Sequence, residues 1–370
     1  MAKPDEREWF ITPSMSLALD LVRVVAALIV LAAHTAQSQV YRGPWPFSEL
    51  FQHAAVIVFF VLSGLVIGHT TFSRPTTLRD YTIARVTRIL PVALPAAALG
   101  AAAMALAWFF GFEGILEPLA RERLDAPDAP YPLFLLSQLF GGYGPAWNPP
   151  IWSLSYEIWY YVLFGAAVFC KPAQRNLAIG LIAVAAGPRI VLLAPVWLSG
   201  VWLARQGGRW RLTPAQGILA MGGAMLTGFV ICQTATGIAD KLGEASGIDL
   251  SPLRFSQCFL SDWAMTPVIL LAFVGMKPLA QAAAQWLERH SGTIRALAGA
   301  SFTLYLMHWP VLVLLQMSGF NSASPLAGLA VVMALQLGAL GIAQITEARR
   351  YALRAMIDRR IDMAGRTVPA

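Results

Sequence analysis

The sequence predicts an all-α polytopic membrane protein, a bundle of about ten transmembrane helices with both termini in the cytoplasm. Three observations carry this. The chain is 57% apolar and only 13% charged, with a mean hydropathy of +0.60, whereas a soluble domain carries about 25% charged residues. Apolar stretches approaching the roughly 20 residues needed to cross a bilayer recur along the chain. When those stretches alternate sides, Lys and Arg collect on one side, as cytoplasmic loops do. The composition excludes a disordered chain, which needs low hydrophobicity. It also excludes a disulfide scaffold, because Cys170, Cys232 and Cys258 sit in or near apolar stretches without framework or metal spacing.

The expected spans are 16–37, 48–69, 89–112, 151–170, 176–188, 190–204, 213–233, 258–276, 296–318 and 324–346. The fifth and sixth share one apolar run, broken by the turn signal Gly187-Pro188-Arg189. The shorter stretch 131–144 reads as re-entrant or interfacial. Residues 1–15 form a cytoplasmic tail, 16–346 the transmembrane domain, and 347–370 a basic cytoplasmic tail whose part 349–360 reads as an amphipathic surface helix. The first span is no cleaved signal peptide: its leader holds Asp5, Glu6 and Glu8, and no small-x-small site follows. With the N-terminus inside, 20 of the 27 Lys and Arg lie on the inner side, and Glu113, Glu117, Glu122, Asp125 and Asp128 lie outside. The net charge of +7 is therefore topology, and no nucleic-acid partner is needed to explain it.

Ionisable residues inside such helices are costly, by about 2.5–3.5 kcal/mol on insertion scales, and mark function by default. In the first span they are Asp20, Arg23 and His34. At about 100° per residue, eleven residues bring Arg23 and His34 to within about 20° of one face, about 16 Å apart. Either that face points into the bundle, or Arg23 snorkels inward and His34 sits at the outer interface. The run Asn148-Pro-Pro-Ile-Trp152-Ser-Leu-Ser155-Tyr-Glu157 opens a helix with prolines, where missing N–H groups are harmless. Glu157 then lies in the second turn, at the depth of His34. It is either a partner of that histidine or an interface carboxylate among Trp152, Trp159, Tyr160 and Tyr161.

Arg85 and Arg88, expected in the cytoplasmic loop after the second span, share a helix face at i, i+3. They suit phosphate oxygens, or they are simply positive-inside residues. Ser301, Tyr305 and His308 stand at i, i+4 and i+7 just before Pro310, which frees a backbone carbonyl. That stripe is a site or a helix–helix seam. His53 ranks below His308. His69 and His290 look incidental, Asp20 a local partner or cap, and Asp262 an interface residue. No histidine has ligand-spaced carboxylate or cysteine partners, so no metal is expected.

The set Arg23-x10-His34, Phe59-Phe-Val-Leu-Ser63-Gly64, Arg85-x-x-Arg88, Trp152-Ser-Leu-Ser-x-Glu157 and Ser301-x-x-x-Tyr305-Leu-x-His308-Trp-Pro310 closely resembles acyltransferase family 3. It runs from about 14 to 346, and one departure is Tyr156, where the family usually has Val. These are integral membrane enzymes that acylate cell-envelope and secreted glycans. This chain resembles the stand-alone form without an SGNH esterase domain.

The resemblance implies Arg23 and His34 as the essential pair, Arg85 and Arg88 as the arginine motif, Glu157 and Tyr161 as carboxylate and tyrosine, and Ser301, Tyr305 and His308 as the late motif. It implies acyl-CoA, chiefly acetyl-CoA, as donor, a glycan or glycolipid as acceptor, and the bacterial inner membrane as location. On this reading Arg85, Arg88 and Arg23 hold the donor. His34 is the general base oriented by Glu157, and Trp152, Ser155, Ser301, Tyr305 and His308 contact the acceptor. The rival reading is a transporter or flippase using the same polar residues for coupling. Against it, the halves show no repeat.

Overall fold

The computed structural model describes residues 8–45, 49–112, 148–207, 209–347 and 349–366. The segment 131–144, expected to be re-entrant, and the acids from Glu113 to Asp128 lie outside them. The described residues are helical, with one isolated bridge between Tyr41 and Ser322. The helices are α1 (Pro13–Gln37), α2 (Glu49–Phe72), α3 (Leu78–Phe109), α4 (Trp152–Phe169), α5 (Pro172–Ala204), α6 (Pro214–Ser246), α7 (Phe259–Ala282), α8 (Ala284–Arg289), α9 (Ser291–Met317), α10 (Pro325–Ala343) and α11 (Arg350–Arg366).

Eight candidate spans are long and apolar enough to cross a membrane. The expected ten differ from these at α4 and α5. The 18 residues of α4 include Ser153, Ser155 and Glu157, which lower its apolarity. The stretches 176–188 and 190–204 both fall in α5, which is broken at Gly187 (φ 80°, ψ 171°), a conformation only glycine adopts readily. A straight helix of this length would separate its ends by about 50 Å. Yet Phe169, just before α5, packs on Tyr81 at 5.4 Å, and Arg205, just after it, lies 4.1 Å above Phe72. Both of those rings touch Phe164. The chain therefore doubles back at Gly187.

The third helix starts earlier than expected. Thr77 caps it by accepting a hydrogen bond from the Asp80 backbone N–H, and nothing interrupts it before Pro91. Arg85 and Arg88 thus sit on α3 and not in a loop. The tail helix α11 docks on the start of α3 through Arg79–Asp358 (3.3 Å) and Arg354–Asp80 (3.6 Å).

Two devices position the interior. The second half of α5 lies in backbone contact with α2. A Cβ on Gly64 would stand 1.9 Å from the Trp197 carbonyl oxygen, and one on Gly200 2.0 Å from that of Val61. Small residues permit this approach. The second device is Pro310 in α9, which lacks the N–H that would bond the Leu306 carbonyl four residues back. Asn148 fills that vacancy, its Nδ2 donating to the Leu306 carbonyl at 2.7 Å. This bond docks the start of α4 against α9, as does the 2.8 Å contact of the Ser153 and Tyr305 hydroxyls.

Asn148→Ala strands the buried Leu306 carbonyl, a loss of about 1–3 kcal/mol. Adding Pro310→Ala restores a helical N–H and recovers most of that loss. Thermal unfolding in detergent measures both. A double variant no more stable than Asn148→Ala alone would show that the carbonyl is not the issue.

Candidate active site

Arg23 and His34 share the inward face of α1. His34 meets α9 directly: its Nδ1 lies 2.6 Å from Nε2 of His308, with the two rings nearly parallel at 11°. The Trp309 ring stands edge-on to His34 at 5.2 Å, and Tyr305 lies 6.2 Å from His308 between ring centres. His308 is buried, and its Nδ1 is 2.9 Å from the Leu304 carbonyl oxygen of its own helix.

One turn along α9, Tyr305 reaches a cavity of about 70 Å³ whose polar walls are Arg23, Ser63, Arg88, Ser153, Glu157, Tyr161, Ser301 and Tyr305. Glu157 is held inside it. The Ser63 hydroxyl donates to Oε1 of Glu157 at 2.7 Å, and the Tyr161 hydroxyl donates to the same oxygen. Ser63 in turn accepts from the Trp197 indole N–H at 3.3 Å. The close approach of α2 and α5 at Gly64 makes this chain possible. Arg23 pairs with Asp20 at 2.8 Å one turn below. Arg88 makes no hydrogen bond or ion pair among the described residues.

A second, more open cavity lies beneath, walled by Thr12, Ser16, Asp20, His69 and Thr70. It shares Arg23, Val66 and Arg88 with the inner one, so two guanidinium groups form the neck between them. Such a neck attracts anions and holds them by forked hydrogen bonds.

The chain matches the family model of the acyltransferase family 3 domain over residues 16–346. It belongs to that family. Comparison with curated proteins gave no match, nor did comparison with solved structures. The helices and the family together make it an integral membrane acyltransferase.

The structure brings together most of the acyltransferase residues expected from sequence, but not as expected. Arg23, Arg88, Glu157, Tyr161, Ser301 and Tyr305 share the inner cavity. Glu157 does not orient His34: its carboxylate is taken by Ser63 and Tyr161, and the partner of His34 is His308. Depth along the membrane had suggested the pairing, but two helices at one depth need not face each other.

Arg85 and Arg88 do not face the same compartment. Arg85 turns away onto the faces of Tyr81 (5.0 Å) and Tyr161 (5.5 Å), beside an apolar lateral pocket between α3 and α4. Trp152 stacks on Phe255 at 4.1 Å and Ser155 is buried, and neither lines the cavity. Ser301 lines it while donating to the Ala298 carbonyl.

His53 and Asp262, ranked low from sequence, form a pair of their own at 2.9 Å, with His53 stacked on Trp152. His69, read from sequence as incidental, lines the open cavity.

Sequence reasoning passed over Trp197 and Glu347. Trp197 is buried, and no short motif marks it. Glu347, just beyond α10, accepts from both the backbone N–H (3.2 Å) and the hydroxyl (2.9 Å) of Thr303. Its signal in the sequence was the lone acid of Thr346-Glu347-Ala348-Arg349-Arg350 following an apolar run.

Burial lifts the Glu347 carboxyl above its ordinary 4.5, against the pull of the Thr303 hydrogen bonds and Arg88. A carboxyl raised in the folded state costs nothing while protonated. The penalty grows as pH rises from the unfolded value through the folded one, and is complete above that. Glu347→Gln keeps an acceptor for Thr303 and removes the charge. It should match or exceed the parent in melting temperature at pH 7–8, with the difference shrinking toward pH 4.5. A variant that is less stable at neutral pH, by detergent thermal melts, would mean the ionised carboxylate is a net stabiliser.

Proposed function

We propose that this acyltransferase moves an acyl group, acetyl foremost, from cytoplasmic acyl-CoA to a hydroxyl of a carbohydrate or glycoconjugate on the outer side of the bacterial inner membrane. The observation that carries this reading is the polar path. An open, polar-walled mouth narrows at Arg23 and Arg88 and continues into the cavity around Glu157, whose lining includes Tyr305, 6.2 Å between ring centres from His308. A donor with phosphates at one end and a thioester at the end of a long arm matches that order of charge, neck and reactive base.

The distribution of Lys and Arg supports ten crossings with both termini and the mouth on the cytoplasmic side. An apolar groove between α9 and α10 reaches His308 from the bilayer side. It favours a lipid-linked glycan as acceptor, with its apolar part lying along the groove.

In this mechanism Arg23 and Arg88 hold the anionic donor. His34 removes the proton from the acceptor hydroxyl. The oxygen attacks the thioester carbonyl, the C–S bond breaks, and the departing CoA sulfur receives the proton from His34. Glu157, fixed by Ser63 and Tyr161, lines the same cavity as the arginines. It keeps the site from being purely cationic, which would trap the donor. No metal takes part in any of these steps.

His34→Ala should abolish thiol release from acetyl-CoA while leaving the melting temperature close to that of the parent. Arg88→Ala should weaken acetyl-CoA binding by about tenfold or more, since a guanidinium–phosphate fork is lost. Arg85→Ala should change it far less, because Arg85 faces the lateral pocket. The measurement is thermal stabilisation of the purified protein by acetyl-CoA, with ATP as the control anion. No stabilisation by acetyl-, succinyl- or longer acyl-CoA would overturn the donor assignment.

A further inference from the structure

We infer that His308 is a positioning residue that fixes the tautomer of His34, and so decides which of its nitrogens is the base. The inference rests on the acyltransferase reading and deepens it. A carbonyl oxygen can only accept a hydrogen bond. Nδ1 of His308, 2.9 Å from the Leu304 carbonyl, must therefore carry a proton. In a neutral imidazole the other nitrogen then has the lone pair, so Nε2 of His308 is an acceptor. Its neighbour at 2.6 Å is Nδ1 of His34, which must donate.

His34 is thereby held as its Nδ1–H form, and its lone pair is left on Nε2. The order runs from a backbone carbonyl, through two imidazoles, to one basic nitrogen. A carboxylate performs this service for histidine in the Ser-His-Asp arrangement; here a second histidine, itself set by the helix backbone, takes the place of the carboxylate.

The arrangement suits its surroundings. His308 is 2% exposed and Leu304 likewise, so water does not compete for the bond between them. A neutral partner also avoids placing a carboxylate in an apolar layer, where it would be costly. The Trp309 ring, edge-on to His34, closes one side of the imidazole and limits its rotation. When His34 takes the acceptor's proton on Nε2, it becomes a cation still hydrogen-bonded through Nδ1 to a lone pair. That bond strengthens as charge appears, which is what a base needs at the transition state.

The direct test is solid-state NMR of the protein in lipid bilayers with 15N-labelled histidine. The chain has five histidines, so His34→Ala and His308→Leu identify the signals. The expected result is a protonated Nδ1 and unprotonated Nε2 on His34, with a through-bond coupling from that Nδ1 to an unprotonated Nε2 of His308. A His34 protonated on Nε2, or no coupling between the rings, would overturn the inference without touching the acyltransferase assignment.

Kinetics provides the second arm, read as thiol release from acetyl-CoA. His308→Gln keeps an acceptor oxygen near the Nε2 position and should hold kcat within about tenfold of the parent. His308→Leu removes the acceptor and should lower kcat by about 100-fold or more with KM for acetyl-CoA unchanged. Equal losses in the two variants would argue that His308 acts only by filling space. A parent protein that neither binds nor consumes acetyl-CoA would instead count against the donor assignment and leave the NMR result to stand alone.

Discussion

Inside a bilayer a polar group that lacks a protein partner has no water to turn to. The interior of this protein is organised by that constraint. Pro310 leaves one carbonyl without its helical donor, and Asn148 supplies it. Glu157 needs donors, and Ser63 and Tyr161 provide them. His34 and His308 satisfy each other. Each of these bonds joins two helices distant in sequence, or braces one that does. These bonds therefore fix how α1, α2, α4 and α9 meet around the cavity.

This explains how a bundle with few charges can still hold a reactive centre. Close backbone approach of α2 and α5, allowed by Gly64 and Gly200, brings Trp197 within reach of Ser63 and so fixes the cavity wall. The docking of α4 on α9 through Asn148 and Ser153 sets the opposite wall. Between them lie two guanidinium groups and a carboxylate. Electrostatic attraction is strong here because apolar side chains such as Phe59, Phe60 and Phe302 make up the rest of the lining and lower the local dielectric. The same walls would reject the charged donor if the path to them were not itself polar. Arg23 and Arg88, shared by the inner and outer cavities, make it so.

Much of this was legible in the sequence. Composition and span length are properties of local stretches, so the membrane class follows from them directly. The helical repeat put Arg23 and His34 on one face, and Ser301, Tyr305 and His308 on another, because spacing within a helix is fixed by its geometry. The carbonyl freed by Pro310 could be anticipated for the same reason. The arginines of α3 show where this reasoning stops. Positions i and i+3 do share a face in broad terms, but Tyr81 and Tyr161 draw Arg85 one way while Arg88 faces the cavity. A small angular difference becomes a different compartment once a ring stands between them.

By itself, the sequence determined that the chain crosses a membrane, which residues are out of place there, and which of them share a helix face. All are consequences of side-chain chemistry and of a fixed rise and turn per residue. Only the tertiary structure decided who meets whom. By depth along the membrane, the sequence suggested Glu157 as the partner of His34. Helix packing gave His34 to His308 and Glu157 to Ser63 and Tyr161, because rotation of a helix about its own axis is set by its neighbours and not by its own repeat. It is also where Gly187 turns one apolar run back on itself, and where the lone acid Glu347 acquires a buried partner in Thr303.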